Sequence, residues 1–159
     1  MRGKITGKGS AMSTQRILIE YKAMVQSQDF KDILQMEMIK DSIYVWKLVF
    51  NVSKYEISKE LKEDFLARQN QYNLPQEVSY EITFPDSYPH DPVFIRVLTP
   101  RFKYQTGHVT VGGSICMESL TPTGWTSARS LESYFIEILF LLNSGGARLD
   151  LGSNNAYTM

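Results

Sequence analysis

The sequence predicts an α+β domain in which a four-stranded antiparallel meander lies between an amino-terminal helix and a second, strongly apolar helix. Three stretches carry that prediction. Ile17, Leu18, Tyr21, Met24 and Val25 recur at helical spacing. Val78, Tyr80, Ile82 and Phe84 alternate with Glu77, Ser79, Glu81 and Thr83, the pattern of a strand with one buried face. Leu131, Tyr134, Phe135, Ile138, Leu139, Leu141 and Leu142 then return to helical spacing, with a face wide enough to lie across a sheet. A chain of 159 residues can bury such a core as one domain without metals or disulfides.

Taken in order, Met1 to Met12 is Gly- and Lys-rich and poor in large apolar side chains, which reads as a flexible leader or an expression remnant; the domain is expected to run from 13 to 159. Ser13 or Thr14 is the expected cap of the first helix, about four turns long, with Arg16, Glu20 and Lys22 on a solvated face. Leu34, Met36 and Met38 alternate with Gln35, Glu37 and Ile39, and after a turn at Asp41-Ser42 the run Ile43 to Val52 completes a hairpin. Ser53 to Gln76 is too long for a hairpin loop. Its Ile57, Leu61 and Phe65, four apart among charges, predict a short amphipathic helix, read as a surface elaboration ahead of a partner-specific element. The strand at 78–84 is followed by Pro85 to Pro92, whose three prolines exclude regular pairing, and then by a fourth strand, Val93 to Leu98. Thr99 to Ser127 has no sustained period and is expected to be a functional loop. Thr126 or Ser127 is the expected cap of the last helix and Gly145-Gly146 its end.

Bulk properties exclude several classes. Lys plus Arg equals Asp plus Glu at 17 each, so no overall charge draws the chain to nucleic acid or an anionic membrane, and a protein partner is expected. No apolar run approaches the ~20 residues of a membrane span. Two histidines and one cysteine, widely spaced, make a poor zinc site, and no phosphate-binding glycine loop is present, so no metal or cofactor is expected. A single cysteine cannot form an internal bridge, which fits a reduced intracellular setting, cytoplasmic or nuclear. A lone cysteine reads first as a small buried hydrophobe. Here it stands in Gly112-Gly113-Ser114-Ile115-Cys116-Met117-Glu118, inside the unpatterned stretch, where paired glycines suit presentation of a nucleophile from irregular backbone.

The order of helix, meander, Pro-rich turn, cysteine loop, Trp and helix resembles the catalytic domain of ubiquitin-conjugating enzymes. Phe84-Pro85-x-x-Tyr88-Pro89-x-x-Pro92 is similar to that family's Pro-rich turn, Gly113-Ser114-Ile115-Cys116-Met117 to its Gly-x-Ile-Cys-Leu run, and Trp125-Thr126-Ser127-Ala128 to its Trp-Ser-Pro-Ala motif. The runs Asp91 to Val97 and Cys116 to Thr121, with Gly124-Trp125, are most similar to the Q-like branch, and so is an insertion at Ser53 to Gln76. The resemblance also implies that Ala147 to Met159 stops before the family's last helices. The main departure is at the family's His-Pro-Asn triplet, where Thr106-Gly107-His108 places His108 eight residues before the cysteine.

The resemblance implies the family's fold and a cofactor-free acyl transfer. Cys116 would accept ubiquitin from an activating enzyme, after ATP-dependent activation upstream, hold it as a thioester and pass it to an amine or another thiol. His108 would donate to the tetrahedral oxyanion or order the loop. Glu118 and Asp150 are the candidate acid/base or gating carboxylates, each read first as a surface or capping group. Trp125 is expected as a packing anchor under the cysteine loop and, with His90, Thr126 and Ser127, as part of a ligase-facing surface. Arg16 and Lys22 would face the activating enzyme. The implied partners are ubiquitin, its activating enzyme, ligases and protein substrates. Two rivals remain: a catalytically inactive binding or scaffold module of the same fold, favoured by the missing Asn, and a cysteine hydrolase pairing Cys116 with His108 or His90.

Overall fold

The first turn of the amino-terminal helix is set by Ser10, whose hydroxyl accepts the Ser13 N–H at 3.1 Å, so α1 runs over Ala11–Val25. The computed structural model describes residues 9–152 and 156–157. The expected leader at 1–12 therefore ends earlier: Ser10 caps the helix, residues 11–12 belong to it, and 1–8 lie outside the described residues. The expected caps have other roles. The buried Ser13 hydroxyl donates to the carbonyls of Asp86 and Tyr88, and Thr14 pairs with the Tyr44 hydroxyl at 2.9 Å, so both tie α1 to the Pro-rich turn and the sheet.

The strands are β1 (Leu34–Met38), β2 (Val45–Asn51), β3 (Glu77–Thr83) and β4 (Phe94–Thr99), antiparallel in the order β1-β2-β3-β4. Their two-residue period puts Trp46, Leu48 and Phe50 of β2, Val78, Tyr80 and Ile82 of β3, and Ile95 and Val97 of β4 on one face, all buried. Across that face lies the last helix, α3 (Leu131–Ser144). Its Phe135 stacks on Phe50 at 5.6 Å and meets Tyr80 edge-on at 5.6 Å. Full burial of an apolar side chain of this size contributes about 2–3 kcal/mol, so this sheet–helix layer holds the core.

The cap of α3 is Ser130, which accepts from Ser133, rather than Thr126 or Ser127. Thr126 is occupied in a preceding turn: its N–H meets the Tyr134 hydroxyl at 3.1 Å and its carbonyl accepts from Arg129. A second contact fixes the same helix end. Glu20, expected on the solvated side of α1, is only 5% exposed; one carboxylate oxygen accepts the Leu131 N–H and the other Arg16 Nε at 2.9 Å. A carboxylate against the first N–H groups of a helix satisfies an orphan donor and complements the helix dipole.

The insertion folds as α2 (Lys59–Tyr72), a 14-residue helix longer than the expected short one, capped by Ser58 and ended by Asn73 at φ 57. It buries Leu61 and Phe65 in the core, as their spacing requires. Asp64, on the same face, takes Arg148 Nε and Nη2 at 2.7 and 2.9 Å and the Leu149 N–H at 3.0 Å. Burial pushes the Asp64 carboxyl up, but these donors outweigh it and hold the group below its usual range. The insertion is thereby clamped to the chain that leaves α3.

Candidate active site

The stretch Thr99 to Ser127 is ordered by short backbone pairings that leave no periodic trace. Beyond the outer edge of β4, Val97 N–H donates to Gly113 O at 2.7 Å and Ile115 N–H to Ile95 O at 3.0 Å, so residues 113–115 lie alongside that strand. The chain reaches this edge through a tight reversal in which Gly113 N–H meets Thr110 O and Thr110 N–H meets Ser114 O. Gly113 is required there. Its φ is +94, and a Cβ would stand 2.8 Å from both Val97 O and the Tyr157 ring.

Cys116 follows directly and is exposed. Its N–H donates to His108 O at 2.7 Å, and its own carbonyl faces His108 Nδ1 at 3.2 Å. A carbonyl can only accept, so Nδ1–H is the donor and the two residues are joined by a reciprocal pair of hydrogen bonds. His108 holds this position at φ 63, after Gly107 at φ 64. Gly107 donates to Gly145 O, and a Cβ on it would lie 2.6 Å from Ala147 Cβ. The imidazole packs over Gly145, where a Cβ would come within 2.7 Å of its Cδ2. The cysteine segment is thus bracketed by β4 on one side and the end of α3, through His108, on the other.

Cys116 and His108 share a groove of about 410 Å³ with Tyr104, Gln105, Val111 and Gly145 among its lining. Tyr104 and Val111 are 70% and 74% exposed, large apolar side chains held open beside a thiol. Periodicity does not reveal them, because the stretch is irregular and neighbouring apolar residues of the same kind, Phe102 and Val109, are buried. The expected carboxylates stand outside this lining. Glu118 is exposed at the start of a single 3-10 turn (Glu118–Leu120), where its carbonyl accepts from Thr121 and lies so close to Gly124 that a Cβ there would be 2.2 Å from it. Asp150 caps a turn, its Oδ1 accepting the Gly152 N–H at 3.0 Å.

Trp125 joins two motifs that the sequence keeps 36 residues apart. Its Nε1 donates to Pro89 O at 2.7 Å, and its ring stacks on Tyr134 of α3 at 4.7 Å and 6°. It therefore anchors the Pro-rich turn to the helix. His90, Thr126 and Ser127 are exposed around it. Arg16 is partly buried: it pairs with Glu20, reaches Arg129 O at 3.4 Å and lies over the Tyr88 ring. Lys22 is exposed on α1. Among the described residues there is no group of His, Cys, Asp and Glu that could hold a metal, and no helix long and apolar enough to cross a membrane.

No protein-family model matches the chain. Curated proteins do. The chain is 34% identical over 149 residues to human ubiquitin-conjugating enzyme E2 Q1, covering 93% of this chain and 34% of that protein. It is 33% identical over 158 residues to ubiquitin-conjugating enzyme E2 25 of Caenorhabditis elegans, covering 98% and 39%. To a human protein of the Q-like ubiquitin-conjugating enzymes, Q-like protein 1, it is 34% identical over 118 residues, covering 73% and 66%. The chain thus spans little more than a third of the length of the first two. Among solved structures it superimposes on a ubiquitin-conjugating enzyme of Plasmodium falciparum with a TM-score of 0.59 at 19% identity, covering 82% of this chain and 97% of that one. On human ubiquitin-conjugating enzyme E2 G1 the TM-score is 0.55 at 17% identity, with 87% and 97% covered. At these identities the structural likeness bears on the fold, which is the α+β fold of those enzymes.

Proposed function

The chain belongs to the ubiquitin-conjugating enzyme family and is most similar to its Q-like branch, and from that premise we propose that Cys116 carries ubiquitin as a thioester. The observation that supports this most directly is the exposed thiol in a groove whose backbone is fixed from two sides. The Cys116 thiolate attacks the carbonyl of a ubiquitin already activated as a thioester on the activating enzyme. The new C–S bond forms, the activating enzyme's thiol leaves, and the proton lost by Cys116 ends on that leaving sulfur. In the second step an acceptor amine or a ligase thiol attacks the same carbonyl and Cys116 leaves as thiolate.

His108 orders the segment rather than donating to the oxyanion, because its Nδ1 proton is already committed to the Cys116 carbonyl. Glu118, two residues beyond the thiol and exposed, is the carboxylate we assign to gating the acceptor's approach, while Asp150 is engaged by its turn. His90, Trp125, Thr126 and Ser127 form the ligase-facing surface, and Lys22, with Arg16 turned inward, faces the activating enzyme. The test is a charging reaction with ubiquitin, activating enzyme and ATP on a non-reducing gel. A thiol-sensitive shift by one ubiquitin that is absent in Cys116→Ala is the expected result. No shift from folded protein would overturn the reading and favour a non-catalytic module.

A further inference from the structure

Four of the arginines in the described residues face a carboxylate: Arg16 with Glu20, Arg96 with Glu81, Arg129 with Glu137 and Arg148 with Asp64. Arg68 of α2 does not. It is 6% exposed, and its guanidinium makes two long contacts with uncharged oxygens, Nη1 with Pro75 O at 3.5 Å and Nη2 with Thr99 Oγ1 at 3.2 Å. Among the described residues no carboxylate lies within ion-pair distance of it. A buried cation without a counter-charge is unfavourable, and burial accordingly lowers the affinity of Arg68 for its proton. The guanidinium borders a cavity of about 360 Å³ on the face of the sheet turned away from α3. Lys47 of β2 and the hydroxyl-bearing Ser79 and Thr99 also line that cavity. Ser79 and Thr99 are direct cross-strand partners, and Lys47 sits one diagonal step away on β2, so the donors converge by sheet register.

We propose that this cavity is a binding site for a carboxylate group, with Arg68 as its principal donor and Lys47, Ser79 and Thr99 completing the ring. The charge of the lining decides the class. Lys47 and Arg68 against Glu77 leave one net positive charge, which matches a monoanion; a dianionic phosphate would meet the Glu77 carboxylate unbalanced. Arg68 comes from the insertion and the other donors from the sheet, so α2 builds the site. The site is independent of Cys116, whose groove has a different lining.

The test is a proton–nitrogen NMR titration of the whole chain, following the Arg68 Nε–H resonance and the Ser79 and Thr99 amides. Acetate, an N-acetylated tripeptide ending in aspartate, and inorganic phosphate are the probes. Saturable shifts with acetate or the peptide are expected, phosphate binding more weakly than either. Tighter binding of the peptide assigns a protein carboxylate, and equal binding a small free one. Lys47→Gln, a change at a partly exposed position, is expected to weaken binding about tenfold, and Arg68→Gln to abolish it. Absence of saturable shifts, tighter binding of phosphate than of acetate, or shifts unaltered in Lys47→Gln would overturn the proposal.

Discussion

Replacing His108 by alanine separates two roles that give the same qualitative loss. The substitution removes the Nδ1 donor from the Cys116 carbonyl and leaves a non-glycine residue at φ 63. An exposed hydrogen bond contributes about 1 kcal/mol, and a left-handed conformation without a local polar side chain costs about another 1 kcal/mol. If His108 orders the cysteine segment, about 2 kcal/mol is therefore the most that discharge can lose, no more than about thirtyfold in rate. If instead the ring donates to the oxyanion, the loss is about 3 kcal/mol or more, roughly a hundredfold at least. The assay is single-turnover discharge of the thioester to free lysine, corrected for amine ionisation, alongside thermal unfolding. The structure predicts a loss inside the thirtyfold bound with a matching fall in stability, and a largely restored rate in His108→Asn, since asparagine tolerates positive φ. A loss beyond a hundredfold without a matching fall in stability would refute the ordering role.

Other consequences follow from single contacts. Gly113→Ala should cost at least about 2 kcal/mol and abolish charging, because the new Cβ meets Val97 O and the Tyr157 ring at a positive φ; thermal unfolding and the charging gel read both effects. Trp125→Phe keeps the stack on Tyr134 but loses the hydrogen bond to Pro89 O, so unfolding in denaturant should show a loss of about 1 kcal/mol with charging intact. Asp64 contributes stability that is complete above its unfolded pKa and lost as pH falls through its depressed folded value. Asp64→Asn should therefore destabilise near neutrality, by about 2 kcal/mol as the negative charge and one of the two oxygens that accept from Arg148 and the Leu149 N–H are replaced by an amide donor, and should flatten the acid limb of the stability curve. An unchanged acid limb would remove the role given to the pair.

The elements that periodicity announces are those that the core dictates. Val78, Tyr80 and Ile82 alternate because one face of β3 lies under α3, and Leu131 to Leu142 repeats helically because that helix covers the sheet. The caps differ from the expected ones because several hydroxyls near each helix start suit capping equally well. What distinguishes Ser10 and Ser130 is tertiary: Ser13 and Thr126 are engaged with other partners. Glu20 illustrates the same limit, since a charged residue on a helix reads as solvated unless the acceptor-seeking end of another helix is known to arrive there. At the site, Cys116, His108 and the paired glycines are legible from motif and spacing. The groove walls are not, because Tyr104 and Val111 line it through irregular backbone that carries no period. Nor is the isolation of Arg68, which depends on which carboxylates the fold leaves out of its reach.

A ubiquitin thioester on Cys116 is detected by intact-mass analysis of the charged protein followed by mapping of the modified peptide. The expected result is one added ubiquitin less one water, released by thiol, located at Cys116, and replaced in Cys116→Ser by an adduct that resists thiol and yields to base. Ubiquitin attached to a lysine while Cys116 stays unmodified, or a folded protein that acquires no ubiquitin, would contradict it.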